Sequence, residues 1–145
     1  MRDLPTSLLM FIASRYAQNR IFEAGREAGL TDVTFAQSRL VAGIDPDGTR
    51  LSVLAERAQI AKQTATALVD KLERAGYVER VPDPADGRAR LVRLTARAEA
   101  ALPIARAEET RIEREWEAHL GTERMGQLRE ALVMLREITD PYLER

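Results

Sequence analysis

The chain has no cysteine, which excludes a disulfide framework, a thiolate zinc site and a cysteine-based redox sensor within it. It has one histidine, His119. No Ser/His/Asp set, glycine-rich phosphate loop or Cys/His cluster occurs, so nothing points to an enzyme, a metal or a cofactor. His119 therefore reads as a surface or interface residue. No apolar run reaches 18 residues, so no membrane-spanning helix is expected. The apolar patch near the start, residues 8–13, is short and has no basic leader, unlike a signal peptide. A cytoplasmic location is the expectation.

What is present fits one soluble domain of 145 residues, 45% hydrophobic and 31% charged. Basic and acidic residues number 22 and 23, giving a net charge of −1. That balance hides an asymmetry. Residues 50–97 hold 10 Lys and Arg against 6 Asp and Glu, a local +4, and the remainder carries −5. A phosphate-facing module on an acidic body explains this split; chance clustering is the other reading.

Hydrophobic periodicity predicts a helix from Thr6 or Ser7, as cap, to about Arg26, ended by Gly25 and Gly29. Its broad apolar stripe includes Leu8, Leu9, Phe11, Ile12, Tyr16 and Phe22. Thr34 caps a second helix carrying Phe35, Leu40, Val41 and Ile44. Residues 45–48 form a turn, and residues 49–51 a very short edge strand. Ser52 opens a short helix over 53–58, residues 59–61 turn, and a helix follows over 62–75. Gly76 is placed to end it in the left-handed conformation. Residues 77–81 and 90–94 read as strands around an eight-residue tip. Thr95 caps a long helix with Ala98, Leu102, Ala105, Ile112, Trp116 and Leu120 on one face, bent at Pro103. After Gly121 a last helix carries Met125, Leu128, Leu132, Leu135 and Ile138 and stops before Pro141.

The central order is helix, turn, helix, strand, wing, strand. In the second helix of the pair, Ala65, Leu68, Val69 and Leu72 face inward, while Gln63, Thr66, Ala67 and Asp70 face out. Gln63 suits an adenine edge, and Thr66 a thymine methyl or a single hydrogen bond. Lys62 and Thr64 suit phosphates at the helix N-terminus. Ser52, opening the first helix, joins this DNA-facing set. On the wing, Arg88 is shaped for a narrow minor groove, with Arg90 beside it. Asp86 suits holding an arginine in position. The amphipathic helices outside this segment have more apolar face than it can cover, which points to a second subunit. A two-fold protein also matches a pseudo-palindromic duplex.

The run LSVLAERAQIAKQTATALVDKLERAGYVERVPDPADGRARLVRLT resembles the multiple antibiotic resistance regulator (MarR) family, most specifically in LVDKLERAGYVER, DPADGR and LVRLT. The flanking helices match in order and length. The resemblance implies a mainly α fold with a small β-wing: a winged helix-turn-helix over 34–97, flanked by dimerisation helices over 1–33 and 98–145. It implies a homodimeric transcriptional regulator, usually a repressor, contacting double-stranded DNA through Gln63, Thr66 and Arg88. It also commonly implies a small-molecule pocket where dimer helices meet the DNA lobe. Phe11, Arg15, Tyr16 and Arg39 are the candidates to line it, favouring an aromatic or anionic ligand; simple packing and surface charge are the alternative. Trp116 could join them, or act as a core or dimer anchor. Three positions depart from the pattern: Ala61 where serine is frequent, Ala67 where arginine is frequent, and Ala98 where glycine is frequent. The rival expectation is a winged helix used as a protein-interaction module, because fold alone does not prove DNA binding.

Overall fold

The structure is a computed structural model that describes residues 3–143. The extreme ends of the two expected dimerisation segments, residues 1–2 and 144–145, lie outside the described residues. The elements run α1 Thr6–Glu27, α2 Phe35–Val41, α3 Leu51–Arg57, α4 Lys62–Arg74, β1 Val78–Asp83, β2 Asp86–Leu94, α5 Ala96–Glu99, α6 Leu102–Leu120 and α7 Thr122–Thr139. The fold is mainly helical with one two-stranded antiparallel sheet. The chain divides into two compact units, Met1–Arg106 and Ala107–Arg145. Among the described residues no helix is long and apolar enough to cross a membrane.

The core of the first unit is built by periodicity. Ala65, Val69 and Leu72 are fully buried on one face of α4, with Leu68 packed at the margin. They meet Leu40 of α2, Leu54 and Ala55 of α3, Tyr77 before β1, Val78 of β1, Val92 of β2 and Ala98 of α5. Burying a leucine such as Leu54 or Leu72 contributes about 1.5–3 kcal/mol.

Local chemistry sets the helix ends. At α2, Thr34 Oγ1 accepts from the Gln37 amide while Gln37 Oε1 accepts from the Thr34 amide, a reciprocal box. Three helices stop alike. Gly29, Gln59 and Gly76 adopt positive φ (102°, 55° and 81°) after α1, α3 and α4. The next residue's amide then reaches back to Gly25, Ala55 and Leu72 respectively. Gly25 therefore lies inside α1, and Gly29 alone ends it.

Other boundaries differ from the expected ones. The cap of α1 is Pro5, not Thr6 or Ser7. The edge strand shrinks to one bridge, Thr49 to Val92. Helix α3 starts at Leu51 with Arg50 as its cap residue, so Ser52 is already inside the first turn. The helix after Thr95 is not one bent rod. The four-residue α5 ends, residues 100–101 turn, and α6 restarts at Leu102. Pro103 then occupies a first turn, where its missing N–H has no intrahelical partner to lose.

In the second unit, Glu108 and Ile112 are buried on α6, and Trp116 is half-buried. Helix α7 has no buried residue; Leu128, Leu132, Val133, Met134, Leu135 and Ile138 are all exposed, Ile138 at 84%.

Candidate nucleic-acid interface

Helix α4 is packed by one face and open on the other. Ala61 precedes it in an extended conformation (φ −63°, ψ 145°) and offers no side-chain cap. The amides of Lys62, Gln63 and Thr64 thus point out of the helix start without intrahelical acceptors. The side chains of these three residues are exposed. Thr66, half-buried one turn on, donates its hydroxyl to the Lys62 carbonyl (2.9 Å). That leaves its methyl group and an acceptor lone pair for any ligand. Ala67 beside it is exposed.

The wing is longer and tighter than expected. Pairing runs from Val78–Leu94 through Pro82–Arg90, then jumps to Asp83–Asp86. The strands absorb most of the expected tip, leaving a two-residue turn, Pro84 and Ala85. The sequence concealed this because Pro82 and Gly87 read as breakers, although a proline is tolerated in such an edge position. The jump in register leaves residues 87–89 on β2 without partners. Arg88 belongs to that bulged segment, and Arg88 and Arg90 are both exposed.

Acidic side chains on this surface are occupied. Arg80 on β1 reaches Asp70 and Glu73 of α4, each at 2.7 Å. The Asp70 hydrogen bond, ahead of the Coulombic pull of Glu73, raises the Arg80 pKa further. Arg93 pairs with Glu79 across the hairpin at 2.6 Å. Arg50 donates through Nε (2.9 Å) and Nη2 (2.8 Å) to Asp83 Oδ2, and its Nη2 lies 3.9 Å from Asp86. The other oxygen of Asp83 accepts from the Ala85 amide (2.9 Å). That backbone bond, followed by Arg50, holds the Asp83 carboxyl below the usual range. Asp86, expected to hold an arginine in position, pairs with the Arg50 side chain at 3.9 Å and accepts from the Arg88 backbone amide (3.0 Å).

The basic residues of 50–97 therefore form two groups. Arg50, Arg57, Arg80, Arg93 and Arg97 are spent on carboxylates. Lys62, Lys71 and Arg74 on α4, with Arg88 and Arg90 on β2, make no ion pair among the described residues and are exposed. The local positive excess is concentrated in those five groups. No hydrogen bond among the described residues joins the two wing arginines to α4, so helix and hairpin are separate projections linked through Arg80.

A second polar cluster sits at the C-terminal end of α4. Tyr77 donates its hydroxyl to Asp32 (2.6 Å). Arg97 lies 4.3 Å over the Tyr77 ring, hydrogen-bonds the Ala75 carbonyl and pairs with Asp32 at 3.4 Å. Burial, then Asp32, raises the Tyr77 pKa, and the Tyr77 hydroxyl chiefly lowers that of Asp32.

The ligand candidates are open. Phe11, Arg15 and Tyr16 are exposed on α1, with Arg15 stacked 5.6 Å from the Phe11 ring and Arg20 5.7 Å from that of Tyr16. Arg39 is exposed on α2. One chain does not close over any of the four. His119 is exposed, and no metal-holding group of side chains occurs among the described residues. Arg50 and Arg80 escaped sequence reasoning: Arg50 lies 33 residues from its partner, and no local spacing announces either bond.

Residues 31–89 match the sequence model of the MarR family. Several solved structures are similar over almost the whole chain. The transcriptional regulator PA4135 is 24% identical, with 94% of this chain and 99% of that one covered and a TM-score of 0.71. Wild-type apo MarR from E. coli is 21% identical, with 93% and 98% covered and a TM-score of 0.70. A further MarR structure is 28% identical, with 92% and 96% covered and a TM-score of 0.67. No curated protein matches.

Proposed function

We propose that this chain, a winged-helix protein of the MarR family, binds double-stranded DNA as a homodimer and regulates transcription, most directly as a repressor. One observation carries the reading. The acids of the reading surface are tied to arginines, and five unpaired cations remain on α4 and the hairpin. Unpaired exposed cations on two projections suit a phosphate backbone bordering two grooves, because they release counterions on contact. Lys62 and Thr64 hold phosphates. Gln63, the Thr66 methyl and Ala67 face the major-groove bases, and Arg88 enters the minor groove, with Arg90 and Ser52 at the backbone.

The homodimer is supported by exposed apolar side chains. Leu8, Leu9, Met10, Phe11 and Ile12 on α1, with those of α7, form surfaces larger than scattered apolar residues explain. A pair of chains places two α4 helices in successive major grooves of a pseudo-palindrome. Phe11, Arg15, Tyr16 and Arg39 are the residues we assign to a small anionic or aromatic effector that relieves repression by favouring one spacing of the two heads.

The decisive test is a titration of fluorescent promoter duplex in dilute buffer, with sedimentation of the free protein. Dimeric protein that binds the duplex, with Arg88→Ala weakening binding tenfold or more and Gln63→Ala shifting base preference in site selection, is the expected result. A strict monomer, or no duplex binding at low salt, refutes the proposal and leaves the winged helix as a protein-interaction module.

A further inference from the structure

Arg88 is the wing residue expected to meet DNA, yet its own strand pairing does not fix it. The register jump leaves residues 87–89 unpaired across the hairpin. Two carboxylates hold this segment and the turn before it: Asp86 accepts from the Arg88 amide (3.0 Å), and Asp83 accepts from the Ala85 amide (2.9 Å). Both carboxylates converge on one guanidinium. Arg50 forks onto Asp83 with two hydrogen bonds at 2.8 and 2.9 Å, and stands 3.9 Å from Asp86.

Arg50 is itself anchored. It directly follows Thr49, which exchanges two backbone hydrogen bonds with Val92 of β2 (2.9 and 2.8 Å), and it directly precedes α3. The Thr49 bridge fixes the base of the hairpin, and the Arg50 fork reaches past it to the tip. With Arg50 removed, Asp83 and Asp86 stand as two uncompensated negative charges beside the residue meant to approach phosphates. A planar two-point donor is suited to this task in a way that an ammonium is not.

We infer that Arg50 is the positioning residue of the wing: it neutralises Asp83 and Asp86 and orders the bulge that presents Arg88, without touching DNA bases itself. The inference deepens the DNA-binding reading and rests on it. The Arg50 side chain is 46% exposed and outside the core cluster, so its replacement opens no cavity in the apolar core.

The test combines Arg50→Gln, Arg50→Lys and Arg88→Ala with the Arg50→Gln/Arg88→Ala double variant. Duplex affinity is measured for each, and amide exchange at Ala85 and Arg88 is followed in the free protein. Arg50→Gln is expected to weaken binding about tenfold in the wild-type background and less than twofold in the Arg88→Ala background, the non-additivity of residues acting through one another. Exchange at the two amides rises at least several-fold with the protein still folded at the assay temperature and core amides unchanged, and Arg50→Lys falls between. Equal losses in both backgrounds, an unchanged affinity, or unaltered exchange at both amides overturns the inference. If the wild-type protein ignores duplex DNA, the functional reading fails and the positioning of a DNA contact fails with it, while the exchange result still reports whether Arg50 orders the tip.

Discussion

Neutralising one unpaired cation should change the salt dependence of DNA binding, and removing one ion pair should not. Within residues 50–97 each chain presents five exposed cations without carboxylate partners: Lys62, Lys71, Arg74, Arg88 and Arg90. Each phosphate neutralised contributes about −0.9 to the slope of log affinity against log salt, so ten cations in a dimer set a ceiling near −9 and half of them give about −4.5. Between 50 and 200 mM salt the lower figure alone costs roughly 2.7 decades of affinity. Arg90→Gln deletes two contacts per dimer and should make the slope shallower by about 1.8. The control is Glu79→Gln combined with Arg93→Gln. It removes the 2.6 Å pair on the same hairpin at no cost in net charge, and should leave the slope within about 0.5 of wild type. Fluorescence anisotropy at five salt concentrations measures all three proteins. Equal slopes for wild type and Arg90→Gln, or a larger change in the pair deletion, would refute the division of the arginines into spent and available groups.

Three other outcomes follow from local chemistry. Ala61→Ser supplies the missing cap of α4 in a backbone conformation that already suits it, and should stabilise by about 0.5–1 kcal/mol in denaturant melts; an unchanged midpoint contradicts this. Gly76→Ala has room for its methyl group, with nothing nearer than 3.8 Å, yet imposes φ +81° on an L-residue. It should destabilise by about 1–2 kcal/mol, and a neutral effect would show that the turn relaxes. Asp32 and Asp83 have lowered folded pKa values. Their contribution is complete above the unfolded value of about 3.9 and is lost as pH falls through the folded one. Asp32→Asn and Asp83→Asn should therefore each flatten the decline of thermal stability below about pH 4; parallel pH profiles would reject that.

The division between what the sequence disclosed and what it hid follows the range of each interaction. Thr34, Gly29 and Gly76 act within five residues, and their roles were readable from neighbours alone. The inward face of α4 was readable because Ala65, Val69 and Leu72 obey one helical period. Boundaries differ where local preference and position disagree: Ser52 is the better cap by type, but Arg50 occupies the cap position, with its side chain on Asp83. The wing strands were underestimated because Pro82 and Gly87 weaken any local strand signal while the partner strand supplies the order. Apolar periodicity runs through Pro103 as if the helix were continuous, although the break at residues 100–101 puts it in a fresh first turn. Residue type and position alone point to Gln63, Thr66 and Arg88 as candidates to face DNA. The ion-pair state of that surface depends on contacts such as Arg80 with Asp70, which no spacing rule reveals.

The link between α3 and α4 turns on Gln59, a non-glycine residue at φ 55° whose side chain also binds the Glu56 carbonyl at 2.8 Å. A glycine would have given that corner freedom; glutamine, tied down at both backbone and side chain, withholds it. Gln59 thus braces the corner between the two helices locally, with no glycine at the joint. For the proposed homodimer, control of DNA affinity is then expected in the distance that separates one head from its twin, not in this corner.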